Sequence, residues 1–148
     1  MDGIVYNIGG RRFLLSPFVP AVEERLWKTV QGLLRDLPKE KEEQILTMQI
    51  DKNKSMMDYI DLLGGFVIEN QCKILACIIT PEGTSEQDKN LSDIAKFLAE
   101  NLRFLQKYRI LSDFFMSEDA ACALSLIMAS VPKAAIILEF LFPLRFKQ

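Results

Sequence analysis

Histidine is missing from this chain altogether. Its absence removes the side chain most often used as a general base near neutral pH, and the commonest metal ligand. A nucleophile would have to rely on a lysine or a carboxylate, and no nucleophile motif is present. An excess of basic charge is missing too: 18 Lys and Arg stand against 20 Asp and Glu, for a net charge of −2. A protein that neutralises nucleic-acid phosphates needs a basic patch. The best local candidate, Arg103, Lys107 and Arg109, reads more simply as the wet face of a helix, so no nucleic-acid partner is expected. Cysteine is scarce. Cys72, Cys77 and Cys122 have apolar neighbours and spacings unlike a zinc site. They read as small core hydrophobes, and an odd number of such thiols points to a reducing compartment. Gly9-Gly10 is not a phosphate loop, because the third glycine and the Lys-Ser/Thr ending are absent. Asp2 stands where a leader would carry basic charge, and no apolar h-region follows, so no secretory leader is expected here.

Apolar residues, by contrast, are abundant at 49% of 148. A chain of this length fits one domain able to bury its own core, and we expect residues 1–148 to form one. The greasiest stretch, AACALSLIMASVPKAAIILEFLFPLRF from Ala120 to Phe146, is nearly long enough to cross a bilayer. Pro132, Lys133 and Glu139 interrupt it. Each mid-span charge costs about 2.5–3.5 kcal/mol on insertion, which favours two short helices parted at Pro132 over a membrane span.

The elements follow from local signals. IVYNI and RRFLL flank Gly9-Gly10, a pair suited to the positive φ angles of a two-residue type I′ turn. A hairpin alone is marginal in water, so this one must pack on something. Pro20 suits the first turn of a helix to Asp36, with Val22, Leu26, Trp27, Val30, Leu33 and Leu34 on one stripe. Residues 39–50 are charged and then apolar, a short helix or connector. Residues 55–79 carry the longest helical pattern, with Ser55 as cap and Asp58 in the first turn. Gly64-Gly65 inside that pattern costs about 1 kcal/mol per glycine relative to Ala, which points to close packing of another helix there or, as the second reading, to a bend in the helix. TPEGTSEQDKN is the clearest loop. Helices are then expected over 92–101, 102–115, from a Ser117 cap to Val131, and over 134–142. The expected fold is mainly α: an N-terminal β-hairpin followed by a bundle of about six helices, or a head of residues 1–18 on a body of residues 19–148.

Chemistry-bearing patterns are weak. Asp58 and Asp61 share a helix face at i, i+3, and Asp93 and Glu100 lie in a later helix. Acids near helix N-termini are common for electrostatic reasons, so no metal or catalytic site and no cofactor is expected. The remaining signal is the apolar tail, with Leu124, Ile127, Met128, Ile136, Ile137, Phe140, Leu141 and Phe142 as candidate partner or self-association surface. Either the bundle covers these residues itself, or their excess marks an interface.

Three stretches in order, IGGRRFLLSPF, ILACIITPEG and AKFLAENLRFLQKYRILSDFF, resemble the tail assembly chaperones of long-tailed bacteriophages and related injection machines. The resemblance spans about residues 4–117, and the apolar tail beyond Ser117 departs from it. It implies a non-enzymatic protein of the host cell cytoplasm that coats a helical tape-measure protein, delivers tail tube subunits to it and forms homo-oligomers. A groove between helices would accept such a partner through anchors at i, i+3, i+4 and i+7. The alternatives are a structural connector of a phage particle and, further off, a small metal-dependent enzyme on Asp58 and Asp61.

Overall fold

The computed structural model describes residues 3–50 and 65–142. The chain is mainly helical, with an antiparallel hairpin at its start. Strands β1 (Val5–Ile8) and β2 (Arg11–Leu15) pair in the register Val5 to Leu14 and Ile8 to Arg11. Gly9 and Gly10 join them at φ +54° and +80°, the left-handed region that a type I′ turn requires. Tyr6, Ile8 and Phe13 point inward and belong to the same buried cluster as the helical core.

Helix α1 (Pro20–Asp36) starts on its proline and buries Val22, Leu26 and Val30, the stripe read from the sequence. Helix α2 (Lys39–Ile50) sets Ile45 into the core and is tied to the C-terminal region by an ion pair between Glu42 and Lys133. Helix α3 (Phe66–Ile78) is the centre of the molecule. It buries Val67 and every residue from Asn70 to Ile78 except Lys73, and it packs on α1 and on the three later helices α4, α5 and α7 described next. A helix apolar nearly all round belongs in such a position.

Helix α4 (Leu91–Asn101) is capped by Asn90, whose side chain accepts from the Asp93 N–H. Helix α5 (Phe104–Phe114) follows after a two-residue break. Ser117 caps α6 (Glu118–Ser130) as expected, accepting from the Ala120 N–H. Helix α7 (Pro132–Leu141) starts on Pro132 itself, two residues earlier than the sequence reading placed it. Proline is pre-set for a first helical turn and loses no hydrogen bond there.

Two expectations change. The helix ending at residue 79 stops at Ile78, and Ile79–Pro81 forms a third strand, β3, antiparallel to β2. The β-branched residues Ile79 and Thr80 suit a strand, and Pro81 pushes the residue before it into extended backbone. This strand, with the Ser16 N–H bonded to the Ile78 carbonyl at 2.8 Å, is what the hairpin packs on. At its other end, α3 begins after Gly65, which sits at φ +151° and would present a Cβ to open space. The close helix approach expected of Gly64-Gly65 is therefore not found at Gly65. That glycine serves a backbone turn that other residues rarely adopt. Gly64, Ser55, Asp58 and Asp61 lie outside the described residues.

Candidate functional site

The apolar tail divides into a buried half and an exposed half. Ile137, Phe140 and Leu141 are core residues and not surface for a partner, and Phe142, also buried, is reached only from the groove described below. Helix α7 lies against α1, α2 and α3 and is covered by them. Its C-terminal end is fixed by a polar relay: Lys107 Nζ donates to Gln71 Oε1 at 3.0 Å, and Gln71 Nε2 donates to the Leu141 carbonyl at 2.7 Å. The carbonyls that end a helix need such partners when buried. Leu124, Ile127 and Met128 on α6 and Ile136 on α7 are half-buried, and Leu126 is exposed. Helix α6 buries only Ala120 completely.

Between α1, α5, α6 and α7 lies an apolar groove of about 150 Å³. Leu26, Trp27, Leu111, Phe115, Leu124 and Met128 form its walls. Glu139 also lines it, and Trp27 directs its indole N–H to the Glu23 carboxylate at 3.4 Å. A second apolar region surrounds the start of α5. Phe104 is 65% exposed and Leu105 75% exposed. Gln106 ties the start of α5 to the hairpin, near its turn, by donating from Nε2 to the Asn7 carbonyl of β1 at 3.0 Å. The hairpin is further tied to α5 by the Tyr6 hydroxyl, which donates to Asp113 at 2.7 Å. Burial, together with the Asp113 carboxylate, pushes the Tyr6 phenol well above its ordinary value.

The buried polar chemistry is gathered under the loop after β3. Lys89 has a fully buried ammonium that donates to the Cys77 carbonyl at 3.1 Å, the Ile79 carbonyl at 3.0 Å and Thr80 Oγ1 at 3.2 Å. Its ion partner Glu86 lies 3.0 Å away and also accepts hydrogen bonds from Ser16 and Thr80. Arg25 on α1 closes the group, donating to the Glu86 carbonyl at 2.7 Å. Burial alone would raise the Glu86 carboxyl. Hydrogen bonds from Ser16, Thr80 and Lys89, with the Lys89 charge, outweigh it and hold the group below its ordinary value. Burial lowers Lys89, and Glu86 opposes that shift. Arranged this way, the cluster is a fastener. Lys89 neutralises carbonyls at the end of α3 and along the outer edge of β3, and Pro81 leaves that edge one donor short.

Sequence reading passed over these residues because Glu86 and Lys89 stand in what looks like an ordinary polar loop. Their i, i+3 spacing of opposite charges was the one available signal. The Arg103, Lys107 and Arg109 group does not act as a unit: Lys107 turns inward to Gln71, while Arg103 and Arg109 are exposed. Asp93 and Glu100 are both exposed on α4. Among the described residues, no three His, Cys, Asp or Glu side chains converge on a metal-sized site. Cys72 and Cys77 are buried as expected, and burial pushes both thiols up. Cys122 is exposed, contrary to the core reading, because it faces outward from the half-covered α6. Among the described residues, no helix is long and apolar enough to cross a membrane. No protein-family model, curated protein or solved structure matches the chain.

Proposed function

We propose that this protein is a non-enzymatic assembly chaperone of the phage tail type, which self-associates and holds a helical tape-measure protein in the host cytoplasm until tube subunits join it. The observation that carries the reading is the pairing of Phe104 and Leu105 at the start of α5, 65% and 75% exposed. Adjacent apolar side chains of this size facing water mark a surface that other chains cover. The start of α5 offers a self-association face, with Phe104 and Leu105 supplying its apolar area. The groove that α5 shares with α1, α6 and α7 is left for the helical partner.

Light scattering of the pure protein tests the first half. Concentration-dependent oligomers are expected, and Phe104→Asp with Leu105→Asp should return them to monomers without loss of helical circular dichroism. A tape-measure fragment added to the wild-type chain should stay soluble and co-elute. A strictly monomeric chain that ignores that fragment would overturn the reading. Mass spectrometry of finished particles separates a chaperone, absent from them, from a connector subunit, present in them.

A further inference from the structure

The most exposed large apolar side chains among the described residues are Met116, Leu105, Leu126 and Phe104. All but Leu126 stand at the two ends of α5, and each end carries charge of its own sign. Arg103, Lys107 and Arg109 come first along the chain, then Asp113, Glu118 and Asp119, with no mixing of signs. Lys107 and Asp113 are engaged inside the molecule, by Gln71 and by Tyr6. The other four charges are exposed: Arg103 and Arg109 around Phe104 and Leu105, Glu118 and Asp119 beside Met116, itself 79% exposed. Among the described residues, none of the four is held in an ion pair. Near the first end, Arg11 adds a cation, 4.7 Å from the Phe97 ring of α4, and Glu100 adds an anion, so the surplus there stays positive.

One chain does not match these ends to each other. Helix α5 has 11 residues, a rise of about 16 Å, whereas exposed charges are screened beyond about 8 Å at physiological salt. Nor does α5 need its first cation: Arg103 stands at the N-cap with no acid in the first turn, and a helix N-terminus favours anions. Resting on the self-association half of the chaperone reading, we infer that the start of α5 is covered by the α5–α6 corner of a second copy. Phe104 and Leu105 meet Met116, a flexible side chain that adapts to uneven apolar partners. Arg103 and Arg109 meet Glu118 and Asp119, which approach a positive helix end as well as two cations. Leu126, further along α6, is not part of the contact. Because two different patches are joined, each copy in a pair leaves one patch unused, and assembly continues to a third copy instead of stopping at a dimer.

Two charge exchanges make the test. Arg103→Glu with Arg109→Glu renders both ends acidic, and Glu118→Lys with Asp119→Lys renders both basic. In light scattering at low salt, the mass of the wild-type particle should rise with concentration, and added salt should lower it. Each exchanged protein alone should associate about tenfold more weakly, because like charges now face each other. Mixed in equal amounts, the two should regain wild-type association, since every contact is again between opposite signs. Cys122, the one exposed thiol, lies within one turn of Glu118 and Asp119, so its reaction with a maleimide should slow as wild-type concentration rises. If either exchange costs helical circular dichroism, Glu118→Gln with Asp119→Asn decides alone, and association equal to wild type overturns the pairing. An acid-end exchange that assembles like wild type, while Phe104→Asp with Leu105→Asp does not, means that the start of α5 meets its own copy. That result overturns the inference and leaves the chaperone reading standing. So does a mixture that fails to regain assembly. A wild-type chain that stays monomeric yet holds a tape-measure fragment in solution overturns the inference alone, and a monomer that ignores the fragment overturns both.

Discussion

Two regions beside α3 are built from different materials. At its C-terminal end, β3 and the following loop close over a polar interior, where Lys89, Glu86, Ser16, Thr80 and Arg25 bind one another and the backbone. Toward α6 and α7 the interior is apolar except for the relay from Lys107 through Gln71 to Leu141, and α6 remains half in water. Hydrogen bonds and ion pairs are directional, so the first region has one satisfactory arrangement. Apolar contact is non-directional, so the second tolerates an incoming side chain in place of water. The lesson is that directional and non-directional contacts are separated around one helix: polar ties hold the sheet end, and apolar packing holds the side toward α6 and α7.

The largest effect should come from breaking the polar end. Lys89→Met strips the Cys77 and Ile79 carbonyls of their buried donor and leaves Glu86 with Arg25, Ser16 and Thr80 alone, and should cost about 4 kcal/mol, read as a lower urea midpoint at unchanged slope. A loss below about 1 kcal/mol would mean that the cluster is solvated and holds nothing. Next comes Leu141→Ala in α7, where a fully buried side chain leaves a cavity, at about 3 kcal/mol in the same assay. Third is Gly9→Ala, expected to cost about 2 kcal/mol because φ is +54° and the new Cβ would stand 2.6 Å from the Asn101 side chain. Asn101→Gly in that background should recover the steric part, while Gly10→Ala, with open space around it, should lack that part from the start.

Acid sharpens the same contrast. Glu86 has a folded value below its ordinary 4.5, so the unfolded chain binds more protons in that window. Its contribution is therefore fully present above 4.5 and lost as pH falls through the folded value. Thermal melts carried from neutrality into that range should show Tm falling on the acid side, with a flatter limb in Glu86→Gln. The smallest effect closes the comparison at the other end: Leu126→Ala on exposed α6 should change stability by no more than about 0.5 kcal/mol. A larger loss would place Leu126 inside an assembly under the assay conditions.

Much of the backbone was readable residue by residue. Gly9-Gly10 between two β-rich arms has few other uses than a tight hairpin, and the turn formed where the pair stands. Pro20 and Ser117 act within one helical turn of themselves, so their signals survive without tertiary context. The third strand was not readable. Three residues at the end of an apolar run show no period, and Ile79 and Thr80 become a strand because β2 is there to receive them. Lys89 was hidden for a related reason. A lysine in a polar loop is ordinarily solvated, and burial became favourable only where the folded chain presented two carbonyls and a carboxylate together.

What the amino-acid order determined alone was local: the hairpin turn, the caps, the stripe of α1, the break at Pro132 and the lack of imidazole chemistry. Each depends on groups a few residues apart, whose geometry the covalent chain already constrains. Tertiary structure decided which half of the greasy tail is interior and which half is offered outward. Helices α6 and α7 are similar in composition, and only the neighbours on each side, which the fold supplies from distant segments, determine how much of either is removed from water.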